Sequence, residues 1–247
     1  MEKQLKFNPV TFIPCYNCEK QLSRMIDKFI KLDSSIRKLF GPLIFIDNNS
    51  TDNSVQTCIS KMKKTKHEFL VIKNHENWGF GGSHKLAFDY FLSTQYSHLF
   101  FFHGDDQAEF SDIMKFHNEI QLNNNLFCIL GSRFLRESKT VGYSKFRILG
   151  NIFFNKIFSL VLKNNITDMG SGFNCFSKEY VKKKHYLLCS NDLTFNYYLT
   201  SHIFKHIPLE KIKFVPLIWK EEDQVSNVKL ISQSIHLSKI ILYTWLY

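Results

Sequence analysis

Residues 43–54 read Leu-Ile-Phe-Ile-Asp-Asn-Asn-Ser-Thr-Asp-Asn-Ser, an apolar run followed at once by polar residues. A continuous apolar run is typical of a strand buried on both faces, and the polar residues after it predict a turn into a helix. The order recurs through the first half, with strands predicted at 10–13, 43–46, 69–72, 98–102 and 127–130 and helices at 19–32, 52–64, 82–94 and 110–122. This alternation favours an α/β fold with a mostly parallel sheet flanked by helices.

The second half of the chain is less regular. Its apolar patterns predict, in order, a helix at 145–163, a strand at 173–176, a helix at 191–201, a strand at 212–217 and a final helix at 227–243. With 247 residues, of which 44% are hydrophobic, the chain is long enough to bury a full core. We therefore expect one domain over residues 1–247.

Polar segments follow the predicted strands, and ligands of parallel sheets bind at the carboxyl ends of the strands. We therefore expect these segments to meet at one edge, and they comprise residues 14–17, 47–52, 74–82 and 103–107. The chain has no G-x-x-x-x-G-K-[ST] motif, and no G-x-G-x-x-G follows a strand. Neither a P-loop nor a dinucleotide fingerprint is therefore present.

Two acidic positions at this edge are candidate functional residues. Asp105 and Asp106 follow a fully apolar strand, where desolvation would be offset by a hard divalent cation such as Mg²⁺ or Mn²⁺. The alternative for this pair is a helix N-cap. Asp47 is placed to accept a hydrogen bond from a base or ribose, and its alternative is a turn in which the side chain binds its own backbone.

The net charge of +10 is concentrated in one segment. Residues 133–184 hold 11 Lys and Arg against 3 Asp and Glu, which leaves a local excess of 8 positive charges. A local excess favours an anionic partner such as a phosphate, a lipid headgroup or a nucleic acid. A nucleic-acid-binding protein would not explain the acidic pair at 105–106, so we expect no nucleic-acid partner.

An ordered set of motifs makes a resemblance specific. The set is P-x-Y-N (14–17), I-D-N-N-S-T-D-N-S (46–54), N-x-G-x-G-G (77–82), H-G-D-D-Q (103–107), G-S-R (131–133), D-M-G-S-G-F (168–173) and V-P-L-x-W (215–219). In this order the chain resembles family 2 glycosyltransferases of the GT-A fold, a Rossmann-like nucleotide-binding fold. The nearest subgroup is the dolichyl- or polyprenyl-phosphate sugar synthases. The resemblance implies a donor half at about 1–132 and an acceptor half at about 133–247.

The resemblance also implies a nucleotide-diphosphate-sugar donor, a divalent magnesium or manganese ion, and inversion at the anomeric carbon. Asp105 matches the second acidic residue of the D-x-D metal motif, whereas His103 stands where the first acidic residue usually lies. Asp106 is left with three alternatives, as a metal ligand, a donor-binding residue or a cap. The candidate donor-binding residues are Pro14, Tyr16, Asn17, Asp47, Lys85, Asp106 and Arg133.

The acceptor side departs from the polyprenyl-phosphate subgroup. Asn174 and Glu221 stand where that subgroup often has arginines, which weakens the case for a lipid-phosphate acceptor. Asp192 lies where relatives acting on hydroxyl acceptors carry their base, and a hydroxyl nucleophile must lose a proton during attack. Asp192 is therefore the candidate catalytic residue, with helix capping as the alternative.

The predicted helix 145–163 carries a narrow polar stripe on an otherwise apolar surface. The stripe has a spacing of i+4 and consists of Arg147, Asn151, Asn155, Ser159 and Lys163. Most of the helix surface must therefore be covered, either by the core, by a second copy of the chain in a homodimer, or by a membrane surface. Together with the basic segment, it predicts peripheral contact with anionic membranes.

We expect a cytoplasmic enzyme, peripherally associated with the inner face of the cytoplasmic membrane. No window approaches the ~18 apolar residues of a membrane span, and the first residues lack an apolar signal segment. The expected activity is sugar transfer to a lipid-linked or glycan acceptor, in bacterial-type cell-surface polysaccharide or glycolipid synthesis. The alternatives are a synthase acting on a polyprenyl phosphate and a non-catalytic scaffold.

Overall fold

A computed structural model describes residues 7–223, 236–242 and 244. The first half alternates strands with helices, as the sequence predicts. The strands are β1 (Pro9–Cys15), β2 (Leu43–Asp47), β3 (Phe69–Lys73), β4 (His98–Phe101) and β5 (Cys128–Ser132). The helices are α1 (Glu19–Lys31), α2 (Ser34–Lys38), α3 (Ser54–Met62), α4 (Gly79–Leu92) and α5 (Ile113–Leu122), the last preceded by a 3₁₀ turn at Phe110–Asp112.

The second half adds shorter elements. In chain order they are β6 (Lys139–Val141), α6 (Lys145–Leu162), β7 (Asn174–Ser177), α7 (Lys178–Val181), α8 (Phe195–His206), β8 (Ile212–Pro216) and β9 (Ile218–Lys220). The predicted strand 212–217 is β8, which ends at Pro216, whereas β9 was not predicted and belongs to a different sheet. The predicted helix 191–201 begins only at Phe195, because Asn191 and Asp192 bind neighbouring backbone groups. Of the predicted helix 227–243, residues 236–242 are helical, and the remainder lies outside the described residues.

The main sheet has seven strands in the order β3-β2-β1-β4-β7-β5-β8. Only β7 runs antiparallel to its neighbours β4 and β5, so the α/β, mostly parallel architecture is confirmed. Strands from both predicted halves pair within this one sheet. A second, two-stranded sheet joins β6 to β9 in parallel.

Alternate residues of the central strands enter two separate layers of the core. Ile13 and Phe100 pack into the layer with α1 and α5, whereas Phe12 and Phe101 pack into the layer with α4 and α8. All four side chains are fully buried, with 0–1% exposed. Burial on both faces explains why these strands are continuous apolar runs rather than alternating ones. Within the part of the chain that is described, no helix is both long and apolar enough to span a bilayer.

Candidate active site

The carboxyl ends of β1, β2 and β4 lie side by side, because the three strands are parallel neighbours. The pairing continues past the strands: the Gly104 amide donates to the Pro14 carbonyl at 3.1 Å, and the Asn48 amide donates to the Cys15 carbonyl at 2.9 Å. The polar segments 14–17, 47–52 and 103–107 therefore meet at one edge of the sheet, as the sequence predicts.

Tyr16 and Asn17 follow β1 and differ in exposure and in contacts. The Tyr16 ring is 46% exposed at the edge. Asn17 adopts a left-handed backbone conformation, with φ of 45°, and its amide donates to Ser50 Oγ at 3.0 Å. Its side-chain Oδ1 accepts from the Thr51 amide at 2.8 Å. Asn17 thus shapes the loop, while Tyr16 presents an accessible aromatic face.

Asp47 forms the local turn with one carboxylate oxygen, and its binding of a base or ribose stays a prediction. Its Oδ2 accepts from the Ser50 amide at 3.1 Å, which is the local turn. Its Oδ1 is buried and has no hydrogen-bond partner among the described residues, although the residue is only 2% exposed. A buried carboxylate oxygen without a donor is costly. A ligand hydroxyl or N–H would therefore be bound favourably here.

Asn48 organises the glycine loop, a role that the sequence did not single out. Its Nδ2 donates to Asn77 Oδ1 at 2.7 Å, and its Oδ1 accepts from the Trp78 amide at 3.0 Å and from Asn74 Nδ2 at 3.1 Å. Gly79, with φ of 76°, then begins α4 in a conformation that favours glycine. One amide side chain after β2 thus fixes the path of the loop after β3.

Asp105 lies in an environment that disfavours its negative charge. Burial raises the pKa of its carboxyl to about 6, and the charges of Asp106 and Glu221 raise it further, against a stabilising backbone hydrogen bond from Gln107. That bond joins the Gln107 amide to Asp105 Oδ1 at 3.2 Å. A divalent cation would stabilise the ionised carboxylate in this environment.

Asp106 is engaged by two cations from α1. Its Oδ2 accepts from Arg24 Nε at 3.2 Å, and its Oδ1 accepts from Lys28 Nζ at 2.8 Å. The residue is 4% exposed and has a left-handed φ of 61°. These contacts use both carboxylate oxygens, so within the described structure Asp106 ties the turn to α1. Arg24 and Lys28 were not identified from the sequence, because they lie about 80 residues from Asp106 in the chain.

His103 occupies a buried position beneath the turn that precedes β7. Its ring packs at 5.3 Å from Phe80 and 5.5 Å from His84, measured between ring centroids. Burial lowers its pKa to about 4, so the imidazole is neutral at physiological pH. A Cβ atom on Gly172 would lie 2.5 Å from His103 Nδ1, so glycine is needed for this close approach. His103 therefore supplies a neutral ring where related sequences have an acid.

Arg133 is held in a buried ion pair at the end of β5. Its Nε lies 2.7 Å from Asp168 Oδ2 and its Nη2 lies 2.8 Å from Asp168 Oδ1. The guanidinium also lies 5.2–5.8 Å from the ring centroids of Phe134, Tyr143 and Trp219. Both arms of the Arg133 guanidinium thus bind a carboxylate of the protein, and the contact with a donor phosphate stays a prediction.

The turn at 168–173 brings the acceptor-side motif to the same edge. β7 enters the sheet antiparallel, so its amino end lies beside the carboxyl ends of β4 and β5. The Gly131 amide donates to the Phe173 carbonyl at 3.0 Å, and Asn174 Nδ2 donates to the Ser171 carbonyl at 3.0 Å. The asparagine at 174 therefore braces the turn from within.

Asp192 and Lys85 lie around the amino end of α4. The Asn191 carbonyl accepts from the Gly81 amide at 2.7 Å, which places the 190–192 loop against the glycine loop. Asp192 Oδ1 accepts from the Thr194 amide at 2.8 Å, a turn contact just before α8, whose N-cap is Thr194 and not Asp192. Burial acts to raise the Asp192 pKa, but hydrogen bonds from Thr194 lower it overall. Lys85 is half-buried, and its charge acts on the Cys189 thiol.

The residues at this edge fit a divalent ion that is shared with a diphosphate. In the described chain, no three metal-ligating side chains converge on one point. Mg²⁺ and Mn²⁺ sites commonly use one or two carboxylates and take their other ligands from phosphates and water. Asp105, whose pKa is raised to about 6 by burial, is the residue that would hold such an ion.

The fold and this edge define the class of protein. A mostly parallel sheet with one inserted antiparallel strand, polar loops at its carboxyl edge and an aspartate after the fourth strand is a GT-A arrangement. The sequence profile of glycosyl transferase family 2 matches residues 11–184, and the chain belongs to this family. It is accordingly a glycosyltransferase, as the motifs predicted.

Individual relatives agree with this assignment. The dolichyl-phosphate beta-glucosyltransferase of Saccharomyces cerevisiae is 26% identical over 247 residues, covering 92% of this chain and 71% of the relative. Glucosyl-3-phosphoglycerate synthase of Mycobacterium tuberculosis, in complex with UDP, superposes with a TM-score of 0.68 at 15% identity, over 96% of this chain and 80% of that one. Its complex with Mn²⁺, UDP-glucose and phosphoglyceric acid gives a TM-score of 0.70 at 14% identity, over 96% and 79%. At these identities the two structures show a shared fold.

Proposed function

We propose that this glycosyltransferase is an inverting, metal-dependent enzyme that uses a nucleotide-diphosphate-sugar donor. The observation that carries the proposal is the pair of carboxylates at one sheet edge: Asp47 with a buried, unpartnered oxygen, and Asp105 with a raised pKa. The first suits a hydroxyl or N–H of a nucleoside, and the second suits a cation on a diphosphate. The solved complexes of the synthase with UDP-glucose and Mn²⁺ support this choice of ligands.

The donor would lie along the ends of β1 and β2. Asp47 Oδ1 accepts a hydrogen bond from the nucleoside, and the exposed Tyr16 ring covers an apolar or aromatic face. Pro14 and Asn17 fix the loop on either side of Tyr16. Lys85, half-buried on α4, contributes positive charge near the glycine loop.

A magnesium or manganese ion held by Asp105 would neutralise the charge that develops on the departing diphosphate. Asp106 assists indirectly, because its ion pairs with Arg24 and Lys28 fix the turn that carries Asp105. His103, two residues before Asp105, places a neutral ring against Gly172 in the turn that precedes β7.

The acceptor attacks from the side of the 168–173 turn and the 190–192 loop. Asp192 is ionised at neutral pH, because hydrogen bonds from Thr194 lower its pKa overall, and it would take the proton of an acceptor hydroxyl. Arg133 is paired with Asp168, and Arg147 is paired with Glu221, whose carboxylate lies 2.6 Å from Arg147 Nη1. Neither of these two arginines is therefore unpaired and available to a lipid phosphate. This favours a hydroxyl on a lipid-linked or glycan acceptor.

A polyprenyl-phosphate acceptor is the second candidate. It is supported by the 26% identity to the dolichyl-phosphate beta-glucosyltransferase. A phosphate acceptor is already ionised and needs no base, so the two candidates differ in their need for Asp192. Either acceptor is consistent with sugar transfer at the inner face of the cytoplasmic membrane, as a step in cell-surface polysaccharide or glycolipid synthesis.

Donor turnover tests the proposal directly. The full chain is incubated with a panel of nucleotide sugars, beginning with UDP-glucose, with Mn²⁺ or with a chelator, and release of the nucleotide is measured. We expect Mn²⁺-dependent release with at least one donor, and its loss in Asp105→Asn. The conservative control is Asp33→Asn, at the start of α2 and away from the edge. A chain that turns over no donor with Mn²⁺ would instead be a non-catalytic scaffold.

A further inference from the structure

Helix α6 presents large apolar side chains to the outside of the molecule. Four of them are exposed to 59–79%: Phe146 (72%), Leu149 (66%), Phe153 (59%) and Leu160 (79%). Single exposed apolar residues are common on protein surfaces, but several on one helix are not. The exposure therefore marks α6 as a surface that contacts something other than water.

The four residues form one stripe. At 3.6 residues per turn they fall within an arc of about 60° around the helix axis. Two exposed lysines, Lys145 and Lys156, lie along one edge of this stripe, within about 20° of each other, and the exposed Lys163 follows as the left-handed C-cap of the helix. Residues 145–163 contain no Asp or Glu. We call these seven residues the α6 face.

The opposite side of α6 points into the protein and carries both apolar and polar residues: Phe158 (0% exposed) and Leu162 (7%) pack into a buried apolar cluster. Asn155 is only 6% exposed, and its Nδ2 donates to the Thr167 carbonyl at 2.9 Å while its Oδ1 accepts from the Met169 amide at 3.2 Å. Ser159 Oγ accepts from the Ile166 amide at 3.0 Å. Two members of the polar stripe noted in the sequence, Asn155 and Ser159, thus bind the backbone of the 166–169 loop. Apolar side chains therefore lie on both the inner and the outer side of α6, whereas the outer side of an ordinary surface helix is polar.

We propose that the α6 face binds the surface of an anionic phospholipid membrane, with the helix lying in the headgroup region and its apolar stripe directed toward the acyl chains. The inference deepens the proposed function, because it assigns the expected membrane contact to one set of residues. Lysines at the edge of an apolar stripe reach outward to lipid phosphates while their stems remain in apolar surroundings.

Charge distinguishes a membrane from the other surfaces that would cover an apolar stripe. A second copy of the chain would present the same lysines, and a two-fold contact would bring like charges together. An anionic lipid surface is complementary to all three. The excess of 8 positive charges within residues 133–184 adds to the attraction.

The contact would also place the acceptor side of the enzyme at the membrane. Through Asn155, α6 holds the Met169 amide, and the adjacent Asp168 anchors the turn that contacts His103 through Gly172. The outer side of α6 thus meets lipid while its inner side fixes the 168–173 turn. This geometry suits an acceptor that is itself embedded in the membrane.

Vesicle co-sedimentation of the full chain tests the proposal. Phosphatidylcholine vesicles with and without phosphatidylglycerol are compared at low and high salt, with no donor or metal present. We expect binding to the anionic vesicles that falls steeply with salt, and little binding to pure phosphatidylcholine. Absence of binding to anionic vesicles at low salt overturns the proposal.

Two double variants locate the contact. Phe153→Ser with Leu160→Ser should weaken vesicle binding about tenfold or more, whereas Met114→Ser with Leu122→Ser, at exposed positions of α5, should not. Lys156→Gln with Lys163→Gln should weaken it about tenfold, whereas Lys63→Gln with Lys64→Gln should not. Binding that is unchanged in both α6 variants overturns the assignment to this face.

A single variant keeps the test independent of folding defects. Tryptophan fluorescence of Leu160→Trp should shift to the blue on anionic vesicles and be quenched by brominated lipids, unlike that of Leu122→Trp. If the wild-type chain is a dimer in solution and does not bind vesicles, and if Phe153→Ser with Leu160→Ser converts the dimer to a monomer, then a second copy covers the α6 face. That result overturns the proposal. A Tm of Phe153→Ser with Leu160→Ser that is much lower than that of the α5 control, again without vesicle binding by the wild-type chain, would show that the chain's own residues cover the α6 face. This result also overturns the proposal.

The outcome is separable from that of the proposed function. Vesicle binding is measured without donor, and donor turnover is measured without lipid. Binding to anionic vesicles without nucleotide release would support the membrane contact of α6 and contradict the proposed activity. Nucleotide release without vesicle binding would support the proposed activity and contradict the membrane contact.

Discussion

Arg133 and Asp168 form a buried, bidentate ion pair, with Nε to Oδ2 at 2.7 Å and Nη2 to Oδ1 at 2.8 Å. The pair joins the end of β5 to the turn that precedes β7. Asp168 also accepts from the backbone amides of Arg133 at 3.0 Å and Gly170 at 2.9 Å. The Asp168 carboxylate therefore holds the acceptor-side turn in place through hydrogen bonds, and Arg133 neutralises its charge.

Removing one partner of this pair should lower the free energy of unfolding more than removing both partners. Asp168→Asn leaves the Arg133 guanidinium buried without a counter-charge, and we expect a loss of about 3–5 kcal/mol in the free energy of unfolding. The double variant Arg133→Met with Asp168→Asn should be less destabilised than Asp168→Asn alone. Urea unfolding of the three proteins measures this, and equal stability of the single and double variants would contradict the account.

Gly172 and Gly150 make a matched pair of glycine substitutions. A Cβ on Gly172 would lie 2.5 Å from the packed ring of His103, so Gly172→Ala should lower the free energy of unfolding by about 1–3 kcal/mol and reduce donor turnover. A Cβ on Gly150, within α6, meets no atom within 4 Å among the residues that the structure describes. Gly150→Ala should therefore raise stability by about 0.5–1 kcal/mol. Thermal unfolding would contradict this if both variants behaved alike.

Acid should destabilise the fold through buried neutral histidines. Burial lowers the pKa of His98 to about 4 and, with repulsion from His103, that of His84 to about 3, from the ordinary value of 6.5. Because the unfolded chain takes up these protons first, stability is fully present above pH ~6.5 and is lost as pH falls toward 4.

The histidine contribution is measured by urea unfolding at pH 7.5 and pH 5.5. His98→Gln cannot take up the proton, so the loss of stability between the two pH values should shrink by about 1 kcal/mol. His75→Gln, whose side chain is 76% exposed, is the control and should leave the difference unchanged. An undiminished difference in His98→Gln would show that His98 does not titrate on unfolding in this range.

Asp192→Asn separates a role in the turn before α8 from base catalysis. Asparagine can accept the same hydrogen bond from the Thr194 amide, so the free energy of unfolding should change by less than about 0.5 kcal/mol. If the acceptor is a hydroxyl, loss of the base should lower turnover by about 100-fold or more while donor binding is retained. An unchanged turnover would support a phosphate acceptor instead.

Much of the fold was predictable because burial on both faces leaves a direct mark in the sequence. The runs that form β1, β2 and β4 are mostly apolar, and the polar residues after them could be assigned to one edge. The antiparallel entry of β7 was not predictable, because the direction of a strand within a sheet depends on its neighbours and not on its own pattern. The three-residue strand β9 was not predicted, because so short a run leaves no clear pattern.

The candidate site was predictable in position but not in its partners. Asp105 and Asp47 lie at the edge of the sheet where the motifs placed them. Arg24, Lys28 and Asp168 were not identified as ion-pair partners of Asp106 and Arg133. Such ion pairs join residues that are tens of positions apart, and no local pattern reports them. The polar stripe of α6 was visible as a periodicity, but a periodicity does not say which side faces the protein.

Binding of UDP, followed by calorimetry with Mn²⁺ or with a chelator, tests the central claim most directly. The account predicts that UDP binds to the wild-type chain only when Mn²⁺ is present. It also predicts that Asp105→Asn weakens this binding about tenfold or more while circular dichroism shows an unchanged fold, because one ligand charge is lost at the edge of the sheet and no core volume. GDP is measured in parallel, since the base is set by the loops around Asp47 and Tyr16. A chain that binds neither nucleotide with Mn²⁺, or that binds one equally well with the chelator and in Asp105→Asn, would contradict the assignment of a metal-dependent donor site to this edge.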